Sequence, residues 1–269
     1  NVTSMFVTNE RFVVAAGCND SNNNFNPLLL KWSSQSNSTV WSPTAANTAG
    51  DHELAFGDRI VKALAGRGEN IILTTDTVWS MRFVADPSVV YRFENVARNA
   101  GCIGANASVA TDFGMFWMAP TGEFYRYAGG VIKPIQCPIG ADMYKNLDFV
   151  QQDKIYAFAN SAKNEVGWYY PDQRDVGQEC SRYVLYNYAE NKWSVGVLIR
   201  TAQIDAGTEP FPFAADSGGR LYYQEKGNSA NGGALTGFLT TGYMDFSDGD
   251  KGMLLNQILP DFDDLEGGL

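Results

Sequence analysis

Short runs of apolar and aromatic residues, four to eight long, recur along the chain and are broken by Gly, Asn, Asp and Ser. Runs of that length with turn residues between them predict strands joined by tight turns. Several hairpins can be read directly. Phe124–Tyr127 turns at Ala128-Gly129-Gly130 and returns as Val131–Pro134, and Tyr183–Tyr188 turns at Ala189-Glu190-Asn191 and returns as Lys192–Val195. Ile60–Leu64 and Asn70–Thr75 flank a turn at residues 65–69, and Leu28–Trp32 leads through the polar run Ser33–Thr39 to Val40-Trp41. Helix is expected only in short pieces, with Ala141–Phe149 the best candidate.

One unit repeats: an acidic residue at a turn, followed within a few positions by an aromatic strand. Its copies are Asp76 before Trp79, Asp112 before Phe116-Trp117, Asp153 before Tyr156, and Asp216 before Tyr222. Asp suits such turns because its carboxylate bonds backbone N–H groups two residues on. The first three copies are spaced by 36 and 41 residues, close to the repeat of a four-stranded propeller blade. These copies are expected to start equivalent strands of different blades. The predicted fold is therefore all-β, a β-propeller of about five or six four-stranded antiparallel blades, over residues 1–242. A β-sandwich or another repeated-hairpin fold leaves a similar trace and ranks second. Composition changes near Tyr243, so 243–269 is set apart as an acidic C-terminal strand or tail leading into a separate region.

Glycine, at 27 residues, is frequent and only 19% of residues are charged, which suits short strands better than long solvated helices. No apolar run approaches the length that spans a bilayer, so no membrane contact is expected. The N-terminus has neither an initiator Met nor the regions of a signal peptide, and a processed product or internal fragment is expected. Cys18, Cys102, Cys137 and Cys180 are 84, 35 and 43 residues apart, which fits no zinc pattern and predicts buried or half-buried free thiols.

Candidate chemistry is sparse. His52 is the single histidine, so any Ser-His-Asp or Cys-His arrangement must use it. It sits in the polar run Asn47–Glu53 and is read as a loop residue. Glu165, Glu179 and Glu225 could meet in space as glycosidase carboxylates, but turn capping or pairing with Arg174, Arg182 and Arg200 is the simpler assignment. Ser247-Asp248-Gly249-Asp250 resembles the sialidase turn only superficially. Trp32, Trp41, Trp79, Trp117, Trp168 and Trp193 are spread at one or two per unit, as core positions are. No catalysis, cofactor or metal is expected.

Charge changes the picture at the C-terminus. The net charge of −10 opposes adhesion to nucleic acid. Asp245, Asp248, Asp250, Asp261, Asp263, Asp264 and Glu266 against Lys251 contribute −6 of it. These seven carboxylates are the candidate channel or docking face.

In order along the chain stand Leu30-Lys31-Trp32-Ser33, Trp41-Ser42-Pro43, Leu73-Thr74-Thr75-Asp76, Asn99-Ala100-Gly101 and Phe116-Trp117-Met118. Glu165–Pro171, Tyr186-Asn187-Tyr188, Trp193–Gly196, Leu221-Tyr222 with Glu225, and Pro260-Asp261-Phe262 follow. In this order they resemble the β-propeller part of the tail nozzle and packaged-DNA stabilisation proteins of short-tailed bacteriophages. The resemblance runs from about Arg11 to Phe262. It implies a structural protein of the virion tail, hexameric as a ring, made in the host bacterial cytoplasm. Its expected partners are copies of itself, a tail adaptor protein, and tail fibre or spike proteins, with DNA passing through unbound. Family members continue the DNA channel and help retain the packaged genome. They usually extend well beyond this length, so platform and tip regions are expected elsewhere. The alternative is a secreted glycan-binding or glycan-hydrolysing β-propeller, which should gather carboxylates and aromatics at one mouth.

Overall fold

The computed structural model describes residues 1–234 except 67, 87, 88, 228, 231 and 232. Two compact units are present, Asn1–Lys226 and Gly227–Leu269. The expected boundary at 242/243 lies outside the described residues. In the second unit a two-stranded hairpin, β20 (Ser229–Ala230) with β21 (Gly233–Ala234), is described.

The first unit is a succession of antiparallel sheets, each made of strands consecutive in sequence. Blade 1 is β1 (Val2–Val7), β2 (Val13–Asn19), β3 (Phe25–Trp32) and β4 (Gly50–Glu53). Blade 2 is β5 (Ile60–Leu64), β6 (Asn70–Thr74), β7 (Thr77–Asp86) and β8 (Val89–Arg98). Blade 3 is β9 (Ser108–Thr111), β10 (Gly114–Met118), β11 (Phe124–Ala128) and β12 (Val131–Ile135). Blade 4 is β13 (Tyr156–Asn160), β14 (Glu165–Tyr170), β15 (Arg182–Asn187) and β16 (Lys192–Val197). Blade 5 has three strands, β17 (Ala202–Ile204), β18 (Phe213–Ala215) and β19 (Leu221–Tyr223).

What makes this a β-propeller is the way the sheets meet. The first strands pack in succession, β1 beside β5, β5 beside β9, β9 beside β13 and β13 beside β17. Burial follows the same radial order. All five residues of β6 and five of the six in β14 are buried, while outer strands β4, β12 and β16 are largely exposed.

The core lies in the seams between blades. Phe12, Leu30 and Trp32 of blade 1 meet Ile72, Trp79 and Tyr91 of blade 2. A larger cluster joins blades 2, 3 and 4 through Leu73, Phe116, Trp117, Phe124, Val166 and Trp168. Strand alternation serves two seams at once. Val166, Trp168 and Tyr170 pack with the blade 3 cluster, whereas Tyr169 packs with Phe158 and donates to Gln203 of blade 5 at 2.7 Å. Between them, Gly167 leaves the space that the Phe158 ring fills, since a Cβ there would lie 2.4 Å from it.

Several expectations are corrected. Strand β3 pairs with β4 at Gly50–Glu53, not with Val40-Trp41. Trp41 instead packs on Ala15, Cys18 and Leu29 as a cover for blade 1. His52 is therefore on a strand, stacked on Phe93 at 4.1 Å, and not in a loop. The repeated Asp units do fall in different blades, and Trp79 and Trp117 lie in different sheets, but the strands they start are not equivalent. Asp76 and Asp216 precede a third strand, Asp112 a second strand and Asp153 a first strand. The recurrent position is the turn from second to third strand, held by Asp20, Asp76, Asp172 and Asp216 in blades 1, 2, 4 and 5. At three of them the carboxylate accepts from N–H groups of its own turn: Asn22 and Asn24 on Asp20, Arg174 on Asp172, and Gly218 and Arg220 on Asp216. Asp76 instead takes the Thr74 hydroxyl and the Asp58 N–H. First strands of blades 2 to 5 begin 48, 48 and 46 residues apart, longer than the spacing read from the sequence. Helix α1 is Gly140–Asn146, followed by a 3-10 segment at Phe149–Lys154.

Candidate functional site at the first turns

The first strands lie side by side, so the turns that end them collect at one mouth of the blade array. Asn9 after β1 donates its amide to the Gly66 carbonyl after β5, at 3.0 Å. Ser161 after β13 donates both its N–H and its hydroxyl to Asp205 after β17. Between these contacts lies a cavity of about 580 Å3 lined by Asn9, Glu69, Asp112, Phe113, Tyr127 and Ser161, among others. Four blades contribute to it.

Glu69 is the most constrained of its polar groups. Its carboxylate accepts from the Ser80 hydroxyl at 3.0 Å and from Arg82 at 3.2 Å, with Tyr127 also donating. Burial pushes this carboxyl up, but the hydrogen bonds from Tyr127, Ser80 and Arg82 outweigh it and hold the group below the ordinary carboxylate range. Glu69 therefore stays ionised and braces the turn. In turn, burial first and Glu69 second push the Tyr127 hydroxyl up, so it remains a donor.

The carboxylates singled out from the sequence separate into two groups. Glu165 and Glu225 both lie near Lys163 where blades 4 and 5 meet, and Lys163 pairs with Glu225. Burial raises the Glu165 carboxyl, Lys163 opposes that, and the Glu225 charge adds to it. Glu179 lies apart and pairs with Lys154 at 2.7 Å. None of the three pairs with the arginines named for them. Arg174 and Arg182 instead grip Asp172 and Asp175, and Arg174 also reaches Asp142 of α1. This clamp fixes the long turn after β14 and leaves its charges occupied.

Trp32, Trp79, Trp117 and Trp168 are buried in seams, while Trp41 and Trp193 are half-buried. All four cysteines are free thiols, with only Cys137 partly accessible. Among the described residues no group of three His, Cys, Asp or Glu is placed to hold a metal, and no helix is long and apolar enough to cross a membrane. Asp245, Asp248, Asp250, Asp261, Asp263, Asp264 and Glu266 lie outside the described residues. The mouth residues escaped the sequence reading, since Asn9, Glu69 and Ser161 carry no local motif.

No family model matches the chain, and no curated protein matches it. Among solved structures it is similar to Kluyvelomyces marxianus Hsv2, at 6% identity and a TM-score of 0.43, over 77% of this chain and 56% of that one. It is also similar to the computationally designed Ika8 protein, at 11% identity and a TM-score of 0.43, over 83% of this chain and 71% of that one. The chain thus spans little more than half of the first of these. The fold assignment rests on strand order and seams.

Proposed function

We infer that the chain is a structural protein of a bacteriophage tail, of the nozzle type. In this reading it forms part of the DNA exit channel, helps retain packaged DNA, and docks tail appendages as a ring of copies beneath an adaptor. The supporting observation is the ordered motif string from Arg11 to Phe262. Many of its described members, including Trp32, Leu73, Phe116, Trp117, Trp168 and Tyr186, are buried residues of the seams. The string thus describes how blades pack, which is what a shared propeller would preserve. The acidic balance suits passage of DNA, because a negative wall gains no affinity through counterion release.

The genes flanking the coding sequence test the class. Portal, capsid and adaptor genes are expected, and carbohydrate-utilisation genes would overturn the reading. The channel role is tested by Asp261→Asn, Asp263→Asn and Asp264→Asn together. Virions carrying them should eject DNA more slowly at low salt, the gap closing as salt rises. Normal assembly with unchanged ejection at every salt concentration removes the channel role.

One observation favours the second reading, a glycan-acting propeller: Glu165 and Glu225 approach each other near the first turns. Hydrolysis of a glycan panel, abolished by Glu165→Gln or Glu225→Gln, would establish it. In the tail reading neither variant changes any hydrolysis.

A further inference from the structure

Blades 1 to 4 each end in an outer strand, β4, β8, β12 and β16, and among the described residues no strand pairs with its far edge. Such an edge presents backbone N–H and C=O groups to any strand that approaches, and proteins guard it with charges, proline or short length. Three of the four are guarded. β4 carries Asp51, His52 and Glu53, β8 carries Arg92, Glu94 and Arg98, and β12 carries Lys133 and Pro134. In blade 5 the last strand, β19, is only three residues long. β16 has no such protection, for the chain from Trp193 to Ile199 holds neither a charge nor a proline.

The register of β16 shows which of its groups face outward. Leu198 donates its N–H to the Ser181 carbonyl at 2.9 Å, in step with Val197 opposite Arg182 and Val195 opposite Val184. Bonding alternates along an antiparallel strand, so the N–H and C=O groups of Trp193, Val195 and Val197 point away from β15. The side chains of the same three residues share one face of the sheet. Trp193 is half-buried against Phe124, while Val195 and Val197 are 49% and 71% exposed. The edge thus offers a row of backbone groups with an apolar row beside it. Its complement is another extended strand with apolar residues at alternate positions.

β16 is itself such a strand, and charge and overlap select how two copies would meet. Antiparallel self-pairing sets outward-bonding residues opposite one another, so a two-fold axis passes through Ser194, Val195 or Gly196. An axis at Gly196 brings Lys192 of one copy opposite Arg200 of the other, and like charges directly opposite repel. An axis at Ser194 leaves Val197 opposite Asn191, which lies in the left-handed turn before the strand, so Val197 stays uncovered. An axis at Val195 sets the two Val195 side chains together and Trp193 against Val197 on either side. That register covers the whole apolar row and opposes no like charges. The other face of the edge carries only Ser194 and Gly196, so nothing bulky obstructs the approach.

We propose that the outer edge of blade 4 is an interface between two copies of this chain, in which β16 pairs antiparallel with β16 about a two-fold axis at Val195. The two blades then form one continuous sheet. A two-fold contact does not by itself close a ring, so the interface goes beyond the tail reading. Its test uses the isolated chain, and its failure is separate from the outcome of the gene-neighbourhood test.

Analytical ultracentrifugation of the full chain should show a monomer–dimer equilibrium with a Kd below about 100 µM. Val195→Lys, which sets two ammonium groups against each other at the axis, should weaken it at least about tenfold. Val131→Lys, an exposed position on the guarded edge of blade 3, should leave it unchanged. Cross-linking keeps the test decisive if the lysine variant misfolds. At the axis the two Cα atoms of residue 195 would stand about 5.5 Å apart, within disulfide reach. Mild oxidation should therefore trap a covalent dimer of Val195→Cys and none of Val197→Cys, which lies two residues off the axis. Both are made with Cys137→Ser, since Cys137 is the one native thiol that is not buried. A monomer at every concentration, dimerisation indifferent to Val195→Lys, or a disulfide at 197 in place of 195 would each overturn the proposal.

Discussion

Trp168 is the sharpest probe of whether the seams carry the stability of this fold. It sits on β14 with no exposed surface, its indole N–H donating to the Ala107 carbonyl at 3.0 Å. Its ring lies 4.5 Å from Phe124 and 6.4 Å from Trp193. The hydrogen bond is the lesser part, because Ala107 also accepts from the Met118 N–H at 3.1 Å and is not orphaned when the indole goes. Its loss is worth about 1 kcal/mol. Emptying the site is worth more: Trp→Ala in a packed core costs about 3–5 kcal/mol, including the cavity left behind. Trp168→Ala is therefore expected to lose about 4 kcal/mol and roughly 8–16 °C of Tm. Trp168→Phe should lose about 1–2 kcal/mol, since the ring contacts are partly replaced. Trp41→Ala, which removes a half-buried cover in a loop, should lose less than about 1 kcal/mol. Urea unfolding followed by circular dichroism, with the m-value checked for constancy, measures all three. A Trp168→Ala variant within about 1 kcal/mol of wild type, at unchanged m, would refute the seam account.

The same structure sets further outcomes. Arg182 grips Asp175 at 2.8 and 2.9 Å and lowers its carboxyl from 3.8 to about 2, so that pair stabilises the fold above about pH 4 and is lost as pH falls toward 2. Asp175→Asn should flatten the acid limb of urea midpoint against pH, and an unchanged limb counts against the clamp. Glu165 has the opposite sign: its raised carboxyl penalises the ionised fold, so Glu165→Gln should gain stability at pH 7 and lose that gain below about pH 4, by the same titration. A thiol reagent should label Cys137 alone in the native protein and all four cysteines in urea, because burial hides Cys18, Cys102 and Cys180 and pushes Cys102 and Cys180 up to about 12. Gly101→Ala should cost at least about 2 kcal/mol, as its Cβ would lie 2.2–2.3 Å from backbone atoms of Thr75 and Asp76. Gly207→Ala, with nothing within 4 Å, should stay within about 0.5 kcal/mol by thermal melting.

The strands were legible because their physics is local. The Ala128–Val131 hairpin announces itself through Gly129 and Gly130, whose φ of +59° and +82° the two-residue turn demands. The β3–β4 pairing was not legible, because an apolar pair such as Val40-Trp41 looks like a strand whether it enters a sheet or covers one. What excludes it lies elsewhere: a Cβ at residue 50 would come within 2.3 Å of the Trp32 ring, so the strand beside Trp32 requires a glycine there. The repeat length failed for a related reason. Asp112 and Asp153 stand before aromatic strands as Asp76 does without sharing its place in a blade, and that local pattern alone does not mark position.

The same separation explains why no contiguous motif marks the mouth. A seam is built from residues near each other in one or two strands, so Trp117 and Trp168, both on second strands, recur visibly after 51 residues. A mouth takes one turn from each blade. Asn9, Glu69, Asp112, Ser161 and Asp205 are 60, 43, 49 and 44 residues apart, steps set by blade length and not by any chemistry the residues share. Each is an ordinary polar turn residue where it stands in the chain. Only the side-by-side packing of the first strands gathers these five loops at one mouth, where four of them line one cavity. In such a fold the scaffold is conspicuous in the sequence and the site is dispersed at the period of the scaffold. Phe113 is the exception that local reading can reach, because a large exposed ring is out of place in a two-residue turn that folding alone would fill with Gly, Asn or Asp.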